Sequence, residues 1–479
     1  MRYISTRGGT APAGFIDAVL MGLADDGGLL VPDAMPQLSP ETLEAWRTLS
    51  YTDLAVEVLS LFTGDDLTRE ELQGLVRGSY ATFRHPEVTP VQKIGDNLHV
   101  LELFHGPTFA FKDVALQFLG NLYAHIAAKT GSIIHILGAT SGDTGASAIE
   151  GVRGKEGIHI CILYPHGKVS RVQELQMTTI QGENVLNLAI RGTFDDAQRI
   201  IKEIFADAAF KREYHLRAIN SINIARILAQ VVYYFYAYFR VSGEADGRRV
   251  NFSVPTGNFG DIFAGYLAKQ MGLPIHRLIL ATNENDILTR FVNTGLYRPA
   301  AFRSTHSPSM DIQVASNFER YLYYLHGEKP EMVRELMAGF GAQGEVRASG
   351  EVLAQVQADF SAYSIENEAC LNTIHGHYHG RAYLLDPHTA CGVAAAELGA
   401  VEGEVTVALA TAHPAKFDES IRLREITQTF PESIQALFEL PQRQTVVEAT
   451  AEAVRQKLVP FFGGEAGGTE AQGKAITSA

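Results

Sequence analysis

A lysine among apolar and aromatic residues is a candidate nucleophile. Lys112 stands in such a run, Phe104-His105-Gly106-Pro107-Thr108-Phe109-Ala110-Phe111-Lys112-Asp113. Loss of hydration between Phe109 and Phe111 disfavours the ammonium form and frees the amine at neutral pH to condense with a carbonyl. Schiff-base chemistry is the natural use. The competing reading is a lysine whose stem lies along a core edge while its ammonium reaches water. Two other stretches are built to receive anions. Ala139-Thr140-Ser141-Gly142-Asp143-Thr144-Gly145 offers free main-chain N–H groups and hydroxyls at the start of a helix, although such a loop is also an ordinary strand-to-helix turn and matches neither the P-loop nor GxGxxG. In Pro255-Thr256-Gly257-Asn258-Phe259-Gly260-Asp261 the two glycines let N–H groups converge on one oxyanion, although a strand, Gly-x-x-Gly loop and helix also recur in α/β proteins that bind no phosphate.

Each of these stretches needs a rigid element behind it. Leu98 to Leu103 reads as a strand before the lysine run, and Asp113 to Leu119 has apolar residues at helical spacing with an acid in the first turn, which puts Lys112 at a helix start. Ile133 to Leu137 and His159 to Tyr164 read as short buried strands on either side of the small-residue loop. Val250 to Val254 is a strand feeding the second glycine loop, with a helix from Ile262 to Met271 beyond it, and the polar stretch 241–249 links it to what precedes. Val405 to Ala410 is a buried strand ending at Thr411-Ala412-His413-Pro414-Ala415-Lys416-Phe417, and a hydroxyl at the carboxyl end of a parallel strand lies where ligands bind in open sheets. Taken alone, Thr411 is a capping residue. Alternating strands and helices of this kind define an α/β protein. Asn220-Ser221-Ile222-Asn223 opens a further helix that places Arg226 in its first turns, and the aromatic run Val231 to Phe239 makes that helix a core element. Lys168, in the turn Tyr164 to Ser170, is either a solvated turn lysine or an anion-attracting one.

The chain of 479 residues is too long for one ordinary core. With 46% hydrophobic and 20% charged residues and no apolar run near the roughly 20 needed to span a membrane, the composition is that of a soluble enzyme. Forty basic against 54 acidic side chains leave a net charge of −14, which argues against nucleic acid or an anionic membrane as partner and requires a local basic pocket for any anionic substrate. Cys161, Cys370 and Cys391 show no CxxC spacing and cannot all pair, which suggests neither a zinc knuckle nor a disulfide framework. The N-terminus lacks the apolar segment of a signal peptide, so a cytoplasmic location is the default.

The words FHGPTFAFKD, ATSGDTG, NSINIAR, TGNFGD and TAHPAKF, with YISTRGG and GLADDGGLLVP near the N-terminus, resemble threonine synthases. These are enzymes of the pyridoxal-phosphate family with the tryptophan-synthase-like fold (fold type II). The resemblance covers roughly residues 3–430. It implies a two-lobed open-sheet α/β fold with a small helical N-terminal domain, pyridoxal 5′-phosphate as cofactor, and conversion of O-phospho-L-homoserine and water into L-threonine and phosphate. It assigns Lys112 to the cofactor carbonyl and to proton transfer. Gly257, Asn258, Phe259 and Gly260 go to the cofactor phosphate, Thr411 to the pyridine nitrogen, and Thr140, Ser141, Gly142, Asp143 and Thr144 to the substrate carboxylate. Lys168, Arg226 and Lys416 are implied for the substrate phosphate. Because an acid repels a carboxylate, the Asp143 side chain is expected to cap the loop or helix. The alternatives are a related lyase that releases a keto acid, and a cofactor-binding protein without turnover.

The resulting division is an N-terminal unit at 1–90, a two-lobed catalytic region at 91–460, and a disordered tail at 461–479 rich in Gly and Ala. In the N-terminal unit, Phe15 to Ala24 reads as a helix stopped by Asp25-Asp26-Gly27-Gly28, while Ser39-Pro40-Glu41 and Thr68-x-x-Glu71 start two more. His375, His377 and His379 share one face if they lie on a strand, a metal-binding possibility that lacks a carboxylate at ligand spacing. The resemblance implies no metal, and the enzyme is expected to be a monomer or homodimer.

Overall fold

A computed structural model describes residues 1–140, 142–243 and 248–463. Two open sheets carry the chain. The larger has six strands in the order Phe360–Ser364, Ile275–Thr282, Arg249–Pro255, Glu404–Ala410, Leu98–Glu102 and Val91–Lys93. All its neighbours are parallel except the last pair, which closes the edge antiparallel. The second sheet is wholly parallel and runs Thr445–Glu448, Val185–Arg191, Ile158–Pro165, Ile134–Ala139 and Leu216–Ala218. The central strands of both are buried on both faces, as a sheet covered by helices on each side requires.

The candidate loops all leave the carboxyl ends of strands, the place where open parallel sheets bind ligands. The lysine loop follows Leu98–Glu102, the second glycine loop follows Arg249–Pro255, and Thr411 follows Glu404–Ala410, three strands adjacent in the larger sheet. The Thr140 loop follows Ile134–Ala139 in the smaller one. Helix Lys112–Thr130 joins the lobes by crossing Asp143–Val152 at very short range. A Cβ on Gly120 would lie 2.1 Å from the Gly151 carbonyl oxygen, and one on Gly151 would lie 2.6 Å from that of Leu116. Two glycines face to face therefore fix the distance between Lys112 and Asp143.

The N-terminal segment shares the main apolar core with the rest of the chain. Its helices Tyr51–Thr63 and Arg69–Tyr80 lie on Ile224–Ser242 and Lys112–Thr130. Buried polar contacts bolt it down: Thr6 donates to Glu319 (2.6 Å), Arg7 pairs with Glu319 (2.8 Å), and Asn223 donates to the Val19 carbonyl (2.8 Å). Ser39 caps Pro40–Trp46, and Thr68 with Glu71 forms a reciprocal capping box, as their spacing predicts. The first helix ends sooner than its apolar pattern suggests, at Met21, because Gly22 stops it. The acidic turn beyond is a separate tie, in which the Asp26 carboxylate accepts from Ser5 Oγ and the Gly9 and Gly28 N–H groups.

Three other expectations change. His375, His377 and His379 lie on a helix, Asn367–Arg381, so alternate residues diverge: His377 is buried against Glu397 (2.9 Å), and the His375 ring lies tilted 4.4 Å from that of His379, one turn away. No group of metal ligands occurs among the described residues. The final helix, Ala451–Gly463, includes the first three residues assigned to the tail, because Phe462 stacks on His135 at 4.3 Å. Residues 464–479 lie outside the described residues. The helix before the polar link runs to Ser242, and 244–247 also lie outside. No helix among the described residues is long and apolar enough to cross a membrane.

Candidate active site

Lys112 is the first residue of its helix, and the loop before it is stitched to the Thr411 loop. Phe111 N donates to the Thr411 carbonyl (2.8 Å), His413 N to that of Phe109 (3.0 Å), and Leu103 N to that of Ala410 (3.0 Å). Asp113 stiffens the loop from the other side. Its buried carboxylate accepts from Thr108 N (2.8 Å), Thr108 Oγ1 (2.6 Å) and Ser147 Oγ (2.7 Å). Phe111 lies 5.7 Å from the amine, but Phe109 turns away from it to meet the Arg84 guanidinium at 3.8 Å and His413. The desolvation expected of Lys112 is therefore supplied mainly by the fold around it.

The Lys112 side chain is only 12% exposed. Burial pulls its amine down to about 8. Asp143 opposes that shift, whereas Arg226 and Lys416 add to it by repulsion. Asp143 is central to this arrangement. Its carboxylate accepts from Lys416 Nζ at 2.8 Å and from Gln173 Nε2 at 2.8 Å, and lies 3.9 Å from Lys112 Nζ. Burial favours its neutral form, yet the two lysines and these hydrogen bonds hold it well below the usual carboxylate range. The expected capping role is thus overturned, because two buried cations claim the acid. Thr140 takes over that role: its hydroxyl oxygen accepts from the N–H groups of Gly142 (3.0 Å) and Gly145 (2.9 Å). Thr144 is half-buried beside Asp143, with no hydrogen bond to its hydroxyl among the described residues, and Ser141 lies outside them.

Lys416 is fully enclosed, and its second bond goes to the Thr108 carbonyl (2.7 Å), which also accepts from Gln176 Nε2 (2.9 Å). Arg226 is buried without a carboxylate partner among the described residues. One of its terminal nitrogens donates to the Asn220 carbonyl, its Nε has no partner, and burial draws its pKa down to about 10. Lys168 stands apart, exposed in the turn before helix Arg171–Thr178.

At the second glycine loop, the N–H groups of residues 257–260 have no partner among the described residues. A Cβ on Gly257 would meet the Ser309 carbonyl oxygen at 2.9 Å and Met310 Cα at 3.1 Å, so the main chain here is closely backed. The Asn258 carbonyl accepts from Asn317 N (3.0 Å), and Asn258 Oδ1 from Ser316 Oγ (3.1 Å). Phe259, at φ 65°, plugs its ring into the core between Phe318, Tyr321 and Phe360, leaving only its main chain for a ligand. Asp261 in the following turn accepts from the hydroxyls of Tyr233 (2.7 Å) and Tyr234 (2.8 Å), and burial raises its pKa to about 6. The Thr411 main chain is fixed on both sides, by Phe111 N and by Thr389 Oγ1 (3.1 Å), while its hydroxyl makes no hydrogen bond among the described residues.

An amine of lowered pKa, an unpaired N–H cup at a helix start and a free hydroxyl at a strand end fit the carbonyl, phosphate and ring nitrogen of pyridoxal phosphate. Residues 2–80 match the family described as Threonine synthase N terminus, 83–412 that described as Pyridoxal-phosphate dependent enzyme, and 389–458 that described as Threonine synthase, C-terminal. The threonine synthase of Schizosaccharomyces pombe is 46% identical over 458 residues, covering 88% of each chain, and that of Pseudomonas aeruginosa is 46% identical, covering 93% of this chain and 96% of its own. The crystal structure of PLP-bound threonine synthase from Brucella melitensis superposes with a TM-score of 0.93 at 44% identity, covering 96% of this chain and 99% of that one. Fold and site together define a pyridoxal-phosphate-dependent enzyme of the α/β class. Within that class the chain belongs to the threonine synthase family.

The structure brings Lys112, Asp143, Lys416 and Arg226 together electrostatically, and hydrogen bonds tie the Thr411 loop to that of Lys112. It leaves Lys168 outside this group. Sequence reasoning missed Gln173, Gln176 and Thr108, which hold the buried charges, and Asp386, His388 and Thr389, which back Thr411. The capping box of Ser170 with Gln173 was a signal for the first of these, and the Asp-Pro helix start at 386 for the last.

Proposed function

We propose that the cleft converts O-phospho-L-homoserine and water into L-threonine and phosphate, with Lys112 as the working amine. The observation that supports the substrate assignment is Arg226, a buried guanidinium with no carboxylate partner among the described residues, beside a lysine of depressed pKa. A buried cation left unpaired is costly unless a ligand supplies the anion, and a phosphate ester does so. In the net reaction the β-carbon gives up a proton, the γ-carbon–oxygen bond breaks and phosphate departs with the electron pair. The oxygen of water then bonds to the β-carbon, the γ-carbon gains a proton, and the proton lost by water goes to the released phosphate.

Bound pyridoxal phosphate supplies the electron sink that makes carbon–hydrogen bonds of an attached amino acid acidic. The N–H groups of Gly257, Asn258, Phe259 and Gly260 would hold the cofactor phosphate, Thr411 would face the ring nitrogen, and Lys112 would hold the carbonyl carbon. Lys112, once free, would take and return protons at the substrate carbons. Thr144, with Ser141, receives the substrate carboxylate at the start of helix Asp143–Val152, while Gly142 shapes the loop by giving its N–H to Thr140. Thr140 shapes that loop, and Asp143 keeps Lys416 in place. Arg226 and Lys416 attract the leaving phosphate, and exposed Lys168 adds a salt-screened attraction from outside. The enzyme acts on a small molecule in the cytoplasm, as a monomer or homodimer, without nucleic acid.

The test is incubation of the holoenzyme with O-phospho-L-homoserine in oxygen-18 water. Threonine and phosphate are expected in equal amounts, with label in the threonine hydroxyl. Label in phosphate would mean hydrolysis at phosphorus, and 2-oxobutyrate as the main product would mean a lyase; either outcome removes the assignment.

A further inference from the structure

A buried carboxylate outside the reacting groups joins the two places where the cofactor is held. Asp386 caps helix Pro387–Leu398 and is 1% exposed. One of its oxygens accepts from His388 N (2.9 Å) and His388 Nδ1 (2.8 Å), the other from Thr389 N (3.2 Å) and Thr389 Oγ1. Both of the residues it grips reach onward. With its hydrogen given to Asp386, the Thr389 hydroxyl has a lone pair for Thr411 N, which donates to it at 3.1 Å. With Nδ1–H given to Asp386, the His388 ring presents an Nε2 lone pair, which accepts from Ser309 N at 3.1 Å. The Ser309 carbonyl is the atom a Cβ on Gly257 would strike at 2.9 Å, so that turn forms the back wall of the N–H cup.

We propose that Asp386 is a positioning residue that sets the span between Thr411 and the Gly257 cup, through Thr389 on one arm and His388 on the other. This rests on the reading that Thr411 and the cup hold the cofactor ring and phosphate. The bonds have the polarity that the task needs. The two side chains that accept from the site loops each donate their only hydrogen to one carboxylate, so neither can rotate to a competing partner without leaving Asp386 short of a donor in a dry interior. The rigid distance between two strand ends thus becomes a rigid distance between ring and phosphate contacts.

Two probes separate the arms. Apoprotein is titrated with pyridoxal phosphate and with pyridoxal, which lacks the phosphate, and binding is followed by absorbance and fluorescence. Thr389→Val should weaken both ligands about tenfold, Thr389→Ser should restore them to within threefold, and His388→Phe should weaken pyridoxal phosphate while leaving pyridoxal nearly unchanged. In a cycle with Thr411→Val, the double variant should lose less than the sum of the single losses. Thermal midpoints of the cofactor-free proteins serve as control. If Thr389→Val and His388→Phe lower the midpoint but leave both affinities unchanged, Asp386 only caps a helix and the proposal is overturned. Additive losses would also overturn it. Should Thr389→Val not fold, the comparison of Thr389→Ser and His388→Phe against the two ligands decides on the same terms. If Thr411→Val alone changes neither affinity nor spectrum, Thr411 does not face the ring, and the underlying reading fails together with this one.

Discussion

At the lysine end of the cleft, charge is matched within the protein: Asp143 lies 2.8 Å from Lys416 and 3.9 Å from Lys112, and Gln173 completes its shell. At the end formed by Arg226 and residues 257–260, cation and N–H groups are held in place by their surroundings and left without an anion. The first arrangement tunes a proton-transferring amine. The second offers two separate anion sites, the N–H cup for the cofactor phosphate and Arg226 for the substrate's. Arg226 and the cup are joined through neighbours, since Ser221, just upstream of Arg226, bonds to Ser316 (2.8 Å) and Ser316 to Asn258 (3.1 Å).

The largest effect is expected from Lys112→Ala, which should reduce turnover about 1,000-fold or more by removing both the cofactor anchor and the base. Steady-state rates with the thermal midpoint as control check this; a small loss would move the chemistry to another amine. Arg226→Gln should act on binding, raising KM for O-phospho-L-homoserine roughly 10- to 100-fold for the loss of charge-assisted hydrogen bonds of about 1.5–3 kcal/mol. A fall in kcat with KM unchanged would instead place Arg226 outside the anion receptor.

The lysine end can be tuned in either direction. Lys112 is protonated below about pH 8, so capture of cofactor by the apoprotein should speed up as pH rises through that value. Asp143 favours the ammonium, so Asp143→Asn should move the rise to lower pH; Lys416 repels it, so Lys416→Met should move the rise to higher pH. Stopped-flow capture rates between pH 6 and about 10 give both midpoints, and shifts of the same sign would break the charge-matching account. The smallest effect is expected of Tyr234→Phe, which removes one of two hydroxyls from the buried Asp261 carboxylate behind the cup. It should cost about 1–3 kcal/mol in denaturant unfolding, with KM unchanged within a factor of about two.

The loops that follow strands were legible because glycines, caps and short apolar runs are local signals, and each of the four lies where its strand ends. Pairing between distant segments was not. Nothing near Asp143 announces Lys416, and with no partner in view an acid beside a carboxylate site reads as a cap. The histidine trio misled for the opposite reason, because a window of five residues shows alternation. The longer set Cys370, Leu371, Ile374 and His377, all buried, has the spacing of a helix face. Phe109 likewise could not be placed from its neighbours, because Arg84 and His413 draw it to the far side of the loop.

Two buried lysines share Asp143, and only Lys112 is expected to bear the cofactor. Borohydride reduction of the holoenzyme fixes the cofactor to the amine that holds it, and peptide mass mapping then locates it. The expected result is a single modified peptide carrying the cofactor on Lys112, with Lys416 unmodified. Modification at Lys416, or at any lysine in place of Lys112, would contradict the assignment of Lys112 as the working amine.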